Sequence, residues 1–323
     1  MTHGTHSRRL PLIAVGVAVL LWSTSFGISS EVLETASPGV LSVGRFVIGL
    51  AVLVPIAVRR PGFARTVRRP RTMLLGLLGV ALYYSLTNIG LEFSTAGTIA
   101  LTNAALPALT AVLGLLILRE RLAVRTVVGL VLATVGVAIV AGSGLSLDVG
   151  VLLSLIGLAS YALYTVLLRK ELVTAPLRRP GSEQTATTDV DPLVLATATA
   201  VWGTAIMLPW LVLEAATGSA SLPADAAGWG GLAFLGIVIT APTIVLFNYG
   251  AERLPAAITG ILTAAIPALG YLFALLLGEP FDPVTALGGA VALVGVVIAS
   301  ASTPAIDSSP PGSALPPAED DSA

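Results

Sequence analysis

The chain has 323 residues, 55% of them hydrophobic and only 11% charged, with a mean hydropathy of +0.92. Soluble domains carry roughly a quarter charged residues, so this composition excludes one and reads as an all-α integral membrane protein. A net charge of −1 leaves no basic surface for nucleic acid; cysteine is absent, and both histidines, His3 and His6, precede every apolar segment, which argues against disulfides, metal sites and imidazole catalysis.

A membrane helix needs about 20 mostly apolar residues to cross roughly 30 Å of hydrocarbon. Residues 1–9 form a polar lead-in. Leu10–Ser30 follows Arg8-Arg9 like a signal segment, but no small-residue cleavage site comes after it, so it reads as an uncleaved first span. Within it Trp22 and Ser25 are three apart and share a face. The second span, Thr35–Val58, is interrupted by one charge, Arg45, seven residues past Pro38 and therefore about 10 Å deep. A charge costs about 2.5–3.5 kcal/mol at a helix centre. The Arg45 guanidinium could take a substrate carboxylate or another anion, or instead snorkel outward or bond carbonyls of a neighbouring helix.

The third span, Thr72–Leu91, carries Tyr84 and Asn88 on one face, and the fourth, Phe93–Leu118, carries Thr98 and Thr102. Pro107 lies mid-span and frees the carbonyl of Asn103, which in lipid must find a hydroxyl, a water or a lined cavity. A bend there would turn Asn103 toward the centre. Thr126–Leu147 is the fifth span. Val149–Leu168, the sixth, places Tyr161 and Tyr164 on one face. Residues 169–191 read as a flexible connector. Pro192–Leu213, Ala226–Ala251, Leu254–Gly278 and Pro283–Ile306 complete ten spans, and Pro267 in the ninth frees the carbonyl of Thr263 as Pro107 does that of Asn103. The tail, 303–323, is rich in Pro, Ser, Ala and acid and reads as disordered. Aromatic walls built from Trp22, Tyr84, Tyr161 and Tyr164 suit an apolar or cationic moiety; the competing assignment is an interfacial belt. Glu120 and Glu279 fall at the ends of spans four and nine, as gate or interface residues.

Positive charge sets orientation. With ten spans and a cytoplasmic N-terminus, every Lys and Arg except Arg45 falls on the cytoplasmic side, whereas Glu31, Glu34, Glu92, Asp148, Glu214, Asp225, Glu279 and Asp282 fall outside. A count one helix different scrambles this segregation. The chain also repeats itself. At an offset of 160, Asn88 falls on Asn248, Gly90 on Gly250 and Leu106-Pro107-Ala108-Leu109 on Ile266-Pro267-Ala268-Leu269. With one residue deleted, Glu120 falls on Glu279, Gly129 on Gly288 and Gly136 on Gly295. Five spans separate the copies, and five is odd, so residues 10–147 and 148–302 are expected as two five-helix repeats of opposite orientation. Inverted repeats of this kind are typical of secondary carriers with a midplane site. Aligning Pro192 with Pro38 puts Thr199 where the first repeat has Arg45, so the chamber is not chemically symmetric.

Leu21-Trp22-Ser23-Thr24-Ser25-Phe26, Arg45-Phe46, Tyr84 to Asn88, Thr95-Ala96-Gly97, Pro107 and Leu118-Arg119-Glu120-Arg121-Leu122 resemble, in order and spacing, the EamA-type carriers of the drug/metabolite transporter superfamily. Ser160-Tyr161-Ala162-Leu163-Tyr164, Pro267 and Leu277-Gly278-Glu279 repeat the resemblance in the second half. It implies a ten-helix bundle with cytoplasmic termini, exporting or exchanging a small metabolite such as an amino acid, an organic cation or a drug-like compound. The expected partners are that small molecule and the lipid bilayer, with a homodimer compatible and no cofactor implied. A pore for small solutes is the competing expectation. An embedded enzyme is disfavoured, because the spans hold no His, no Cys and no paired acids within one span.

Overall fold

The computed structural model describes residues 6–118, 123–141, 148–174, 191–251, 253–254 and 256–300, and every regular element among them is helical. Helix α1 spans His6–Leu33 and α2 spans Pro38–Ala57; a short helix, Phe63–Val67, leads to α3, Pro70–Leu91. Then come α4, Ala96–Leu118; α5, Val124–Ala141; α6, Val149–Thr174; and α7, Pro192–Thr217. Helix α8 runs through Ala226–Phe234, Leu235–Thr240 and Ala241–Ala251. The last three are α9, Ala256–Thr263; α10, Ile266–Leu276; and α11, Pro283–Ser300.

Several starts are dictated locally. Ser37, Thr95, Asp191 and Asp225 each accept a hydrogen bond from a backbone N–H in the first turn of α2, α4, α7 and α8, relieving donors that have no partner inside the helix. Pro38 and Pro192 follow two of these caps at the first helical position, where a missing N–H costs nothing. Asp148 and Asp282 bond Val151 N and Thr285 N in the same manner at 3.0 and 2.7 Å.

Eight helices among the described residues, α1 to α8, are long and apolar enough to cross a membrane; Ile266–Leu276 in α10 and Pro283–Ala299 in α11 are shorter apolar stretches. The ninth expected span is divided: α9 ends at Thr263, Ala264 and Ala265 form a turn, and α10 resumes with Pro267 in its first turn. Helix α4 tightens into a 3-10 turn at Asn103–Ala105 just before Pro107. Helices α3 and α8 each widen into a π turn, at Leu77–Leu82 and Leu235–Thr240. Helix α6 continues to Thr174, past its expected end at Leu168. Glu120, residues 142–147, most of the connector and the tail lie outside the described residues.

Packing relies on close backbone approach at small residues, the usual device between membrane helices. Helices α5 and α11 make the most extensive pairing. Gly129 faces Gly295 and Ala299 there, and Gly136 faces Gly288 and Ala292. Helix α3 lies on α6, with Gly90 against the carbonyl of Gly150, and α1 lies on α8, with Gly250 against Val15 and the carbonyl of Pro11. Helix α2 packs on α7 and on the π turn of α8, whereas α7 packs on α3. Large side chains fill the spaces between: Leu41, Leu235 and Ile239 on one side, and Leu158 with Val137 and Val296 on the other, are almost wholly enclosed.

Candidate binding site around Arg45

Arg45 sits two turns into α2 with only 2% of its surface exposed. Its Nε and Nη2 both donate to Thr240 Oγ1 at 3.4 Å, and Nη1 donates to Ser25 Oγ at 3.3 Å. The π turn of α8 makes this acceptor available. Thr240 Oγ1 donates to the carbonyl of Leu235, five residues back, at 2.8 Å, so its proton is committed and its lone pairs are left to accept from the guanidinium. The guanidinium carbon lies over the ring of Tyr84, 4.8 Å from its centroid, and 5.7 Å from that of Phe46. Such contacts add about 0.5–2 kcal/mol each. All these partners are neutral, the bonds lie beyond the usual 2.7–3.2 Å range, and among the described residues no carboxylate pairs with Arg45.

From Arg45 a chain of rings crosses the interior. Phe46 meets Tyr84 edge-on at 4.7 Å, Tyr84 meets Tyr83 at 4.9 Å, Tyr83 meets Tyr161 at 5.0 Å, and Tyr161 meets Tyr164 at 5.3 Å. Tyr83 also donates its hydroxyl proton to Asn103 Oδ1 at 3.0 Å, and Asn103 Nδ2 donates to the carbonyl of Ile99. The 3-10 turn before Pro107 sets this up: Leu106 N donates to the Asn103 carbonyl and closes it off, leaving the side chain to reach Tyr83.

The structure therefore brings Ser25, Arg45, Tyr84, Asn103, Tyr161 and Tyr164 into one array, and it adds Phe46, Tyr83 and Thr240; Arg45, Phe46 and Thr240 are buried and the others half-buried. The other sequence candidates lie elsewhere. Trp22 packs on Phe247 at 5.0 Å. Asn88 Nδ2 donates to Ser42 Oγ at 2.8 Å. Thr98 bonds Thr95, Thr102 returns to the carbonyl of Thr98, and Thr263 to that of Thr259. Glu279 accepts from Gly97 N at 2.9 Å, a carboxylate at the start of α4, where the helix dipole favours negative charge. The Asn248 side chain lies outside the described residues.

Thr199 occupies on α7 the place that Arg45 occupies on α2. A methyl built on Gly236 would meet Ile48 and the carbonyl of Arg45, and one built on Gly76 would meet Trp202 and the carbonyl of Thr199. Thr199 is 3% exposed, and its hydroxyl has no hydrogen-bond partner among the described residues. The two backbones meet their neighbours alike; the side chains do not.

A cleft of about 600 Å³ opens at the Ser37 end of α2, lined by Glu34, Glu92, Glu214, Ile89, Trp210 and Leu213 among others, with no basic side chain in its wall. Partial burial, and then the neighbouring charge of Glu214, hold the Glu92 carboxyl above its ordinary value. A carboxyl raised in the folded chain binds its proton more tightly there than when unfolded. Its stability penalty is absent well below the ordinary carboxylate range and grows as pH rises through that range. Glu92→Gln is therefore expected to melt above the parent protein in detergent at pH 7 and level with it at pH 4. Equal melting at both values would reject this account.

Comparison with known proteins agrees with this architecture. Residues 9–142 and 182–301 match the model of the EamA-like transporter family. An uncharacterized transporter of Archaeoglobus fulgidus is 24% identical over 290 residues, covering 88% of this chain and 97% of that one. The uncharacterized transporter YyaM of Bacillus subtilis is 23% identical over 300 residues, 90% of this chain and 92% of that one. A probable terminal-alkyne amino-acid exporter of Streptantibioticus cattleyicolor is 27% identical over 297 residues, 88% and 91% respectively. A solved crystal structure superposes with a TM-score of 0.63 at 19% identity, covering 94% of this chain and all of that one, and so shares the fold.

Proposed function

The chain belongs to the EamA-like transporter family, and from that premise we propose that it is a secondary carrier moving a small metabolite across the cell membrane by alternating access. Ten spans form two inverted five-helix repeats in this reading, residues 10–147 and 148–302, with both termini cytoplasmic. The observation that carries it is the pairing of contacts across the chain. Gly129 meets Gly295, the counterpart of Gly136, while Gly136 meets Gly288, the counterpart of Gly129, so each glycine touches the other's counterpart. That reciprocity is what a two-fold axis imposes on an interface. The same exchange relates α3 on α6 to α1 on α8, and the contact of Gly49 with Gly236 to that of Gly203 with Gly76. The π turns of α3 and α8 also fall within two residues of matching places. An axis in the membrane plane lets two equivalent half-structures exchange shapes and open one face, then the other.

Arg45 is the substrate's anchor in this account. Its charge lacks a counter-ion among the described residues, and a substrate carboxylate would supply one through a bidentate fork, with the tyrosine rings holding an apolar or ammonium-bearing remainder. The amino-acid exporter among the relatives makes an amino acid the first compound to test. In proteoliposomes containing the purified protein, uptake of labelled amino acids is expected to saturate and to accelerate when unlabelled substrate is trapped inside. Flux linear in concentration and indifferent to trapped substrate would replace the carrier by a pore.

A further inference from the structure

Helices α2 and α7 are clasped to each other at both ends, and the two clasps correspond residue by residue. At one end Ser37, the cap of α2, donates through Oγ to Glu214 Oε2 at 2.7 Å, and Gly39 N donates to Glu214 Oε1 at 3.1 Å. At the other end Asp191, the cap of α7, accepts from Leu193 N through Oδ1 at 2.9 Å and from Arg60 Nη1 through Oδ2 at 3.1 Å. Ser37 and Asp191 are 154 positions apart, as are Arg60 and Glu214, and as are Pro38 and Pro192. In each clasp the residue preceding one helix is gripped by a side chain at or just beyond the far end of the other. Twenty residues of α2 separate the two clasps, about 30 Å of helix, so they lie at opposite faces of the hydrocarbon. The chemistry is not copied: one clasp joins a carboxylate to a hydroxyl and an amide, the other a guanidinium to a carboxylate.

We propose, building on the carrier reading, that these are the two gates of the transport cycle: the Ser37–Gly39–Glu214 clasp shuts the outer face and the Arg60–Asp191 clasp shuts the inner one. Both are made in this structure, which is therefore the occluded form. Tilting α2 against α7 about their shared axis opens one end only by pinching the other, so each clasp breaks in the state in which the other holds. A contact made in one state and lost in another biases the balance by its own free energy. Losing the outer clasp shifts the population outward-open, and losing the inner one shifts it inward-open.

The chain has no cysteine, so single reporters need no prior background engineering. Val40→Cys and Val194→Cys place them at matching buried positions, one turn inside each clasp. Reaction with a membrane-impermeant maleimide is followed from outside for the first reporter, and in inside-out vesicles for the second. Glu214→Ala is expected to raise Val40→Cys labelling at least threefold and to lower Val194→Cys labelling. Arg60→Ala, at an exposed side chain, is expected to do the reverse. Should Glu214→Ala fail to fold, Glu214→Gln, which keeps an acceptor for Gly39 N, is expected to give the same pattern at smaller amplitude. Reciprocal change supports the gates; labelling that rises at both ends, changes at one end only, or stays level overturns them. These arms need no substrate, so a failed counterflow assay counts against the carrier reading, whereas failed reciprocity with intact counterflow counts against the gates alone.

Discussion

Replacing Arg45 by alanine is expected to lower transport efficiency for a carboxylate substrate about 10–100-fold, while the protein still inserts and melts close to the parent. A hydrogen bond to a charged group contributes about 1.5–3 kcal/mol, and each 1.4 kcal/mol is roughly tenfold in affinity. Stability is expected to hold because removing a buried charge also removes its desolvation cost, and because Thr240 keeps its bond to the Leu235 carbonyl. Arg45→Lys restores the charge without the planar fork and belongs between the two. Uptake kinetics in proteoliposomes, with thermal unfolding in detergent, measure both sides of the expectation. Unchanged kinetics would remove Arg45 from the binding site, and a parallel loss of folding and transport would make its role structural.

Gly136→Leu is expected to be among the most damaging single changes in the chain. A Cβ at Gly136 would meet the backbone of α11 at Ala292 Cα and Gly288 O, both 2.6 Å away. No flexible side chain can yield there, so α5 and α11 must separate along their seam. Overpacking typically costs about 1–3 kcal/mol and more where backbone must move; we expect the upper part of that range, seen as a lower melting temperature and poor recovery from the membrane. Gly16→Leu is the control, since a Cβ on Gly16 meets nothing within 4 Å and leucine has the better helix propensity. Similar melting of the two variants would mean that the α5–α11 seam is not what holds the bundle together.

The helical, membrane-spanning character of the chain was legible in the sequence because apolar runs free of charge demand helices, and the expected spans from Leu10 to Ala251 correspond to α1 through α8. The ninth was read as continuous, whereas Ala264 and Ala265 divide it; a proline marks where a helix is weak, not whether it kinks or parts. At the site, Arg45, Ser25 and Tyr84 could be named because a charge and facing polar groups stand out in apolar spans. Tyr83 escaped because neighbours on an α-helix point about 100° apart, which sets it off the face of Tyr84 and Asn88, yet the two rings meet edge-on just beyond the π turn of α3. Thr240 escaped because a threonine within a span usually bonds its own helix, and nothing in its surroundings announces the widened turn that aims its lone pairs at Arg45. Asn88, Thr98 and Thr102 were legible as polar, but the partner of Asn88, Ser42, is a tertiary fact, whereas the two threonines bond within their own helix.

The mismatch between Arg45 and Thr199 has a kinetic consequence. A cargo whose anionic end seeks one half of the protein rides in a single orientation, so loading from the two faces draws on different contacts. For an uncoupled carrier, half-saturation concentrations measured from the two sides are then expected to differ, with maximal rates differing in the same proportion, because zero net flux at equal concentrations fixes their ratio.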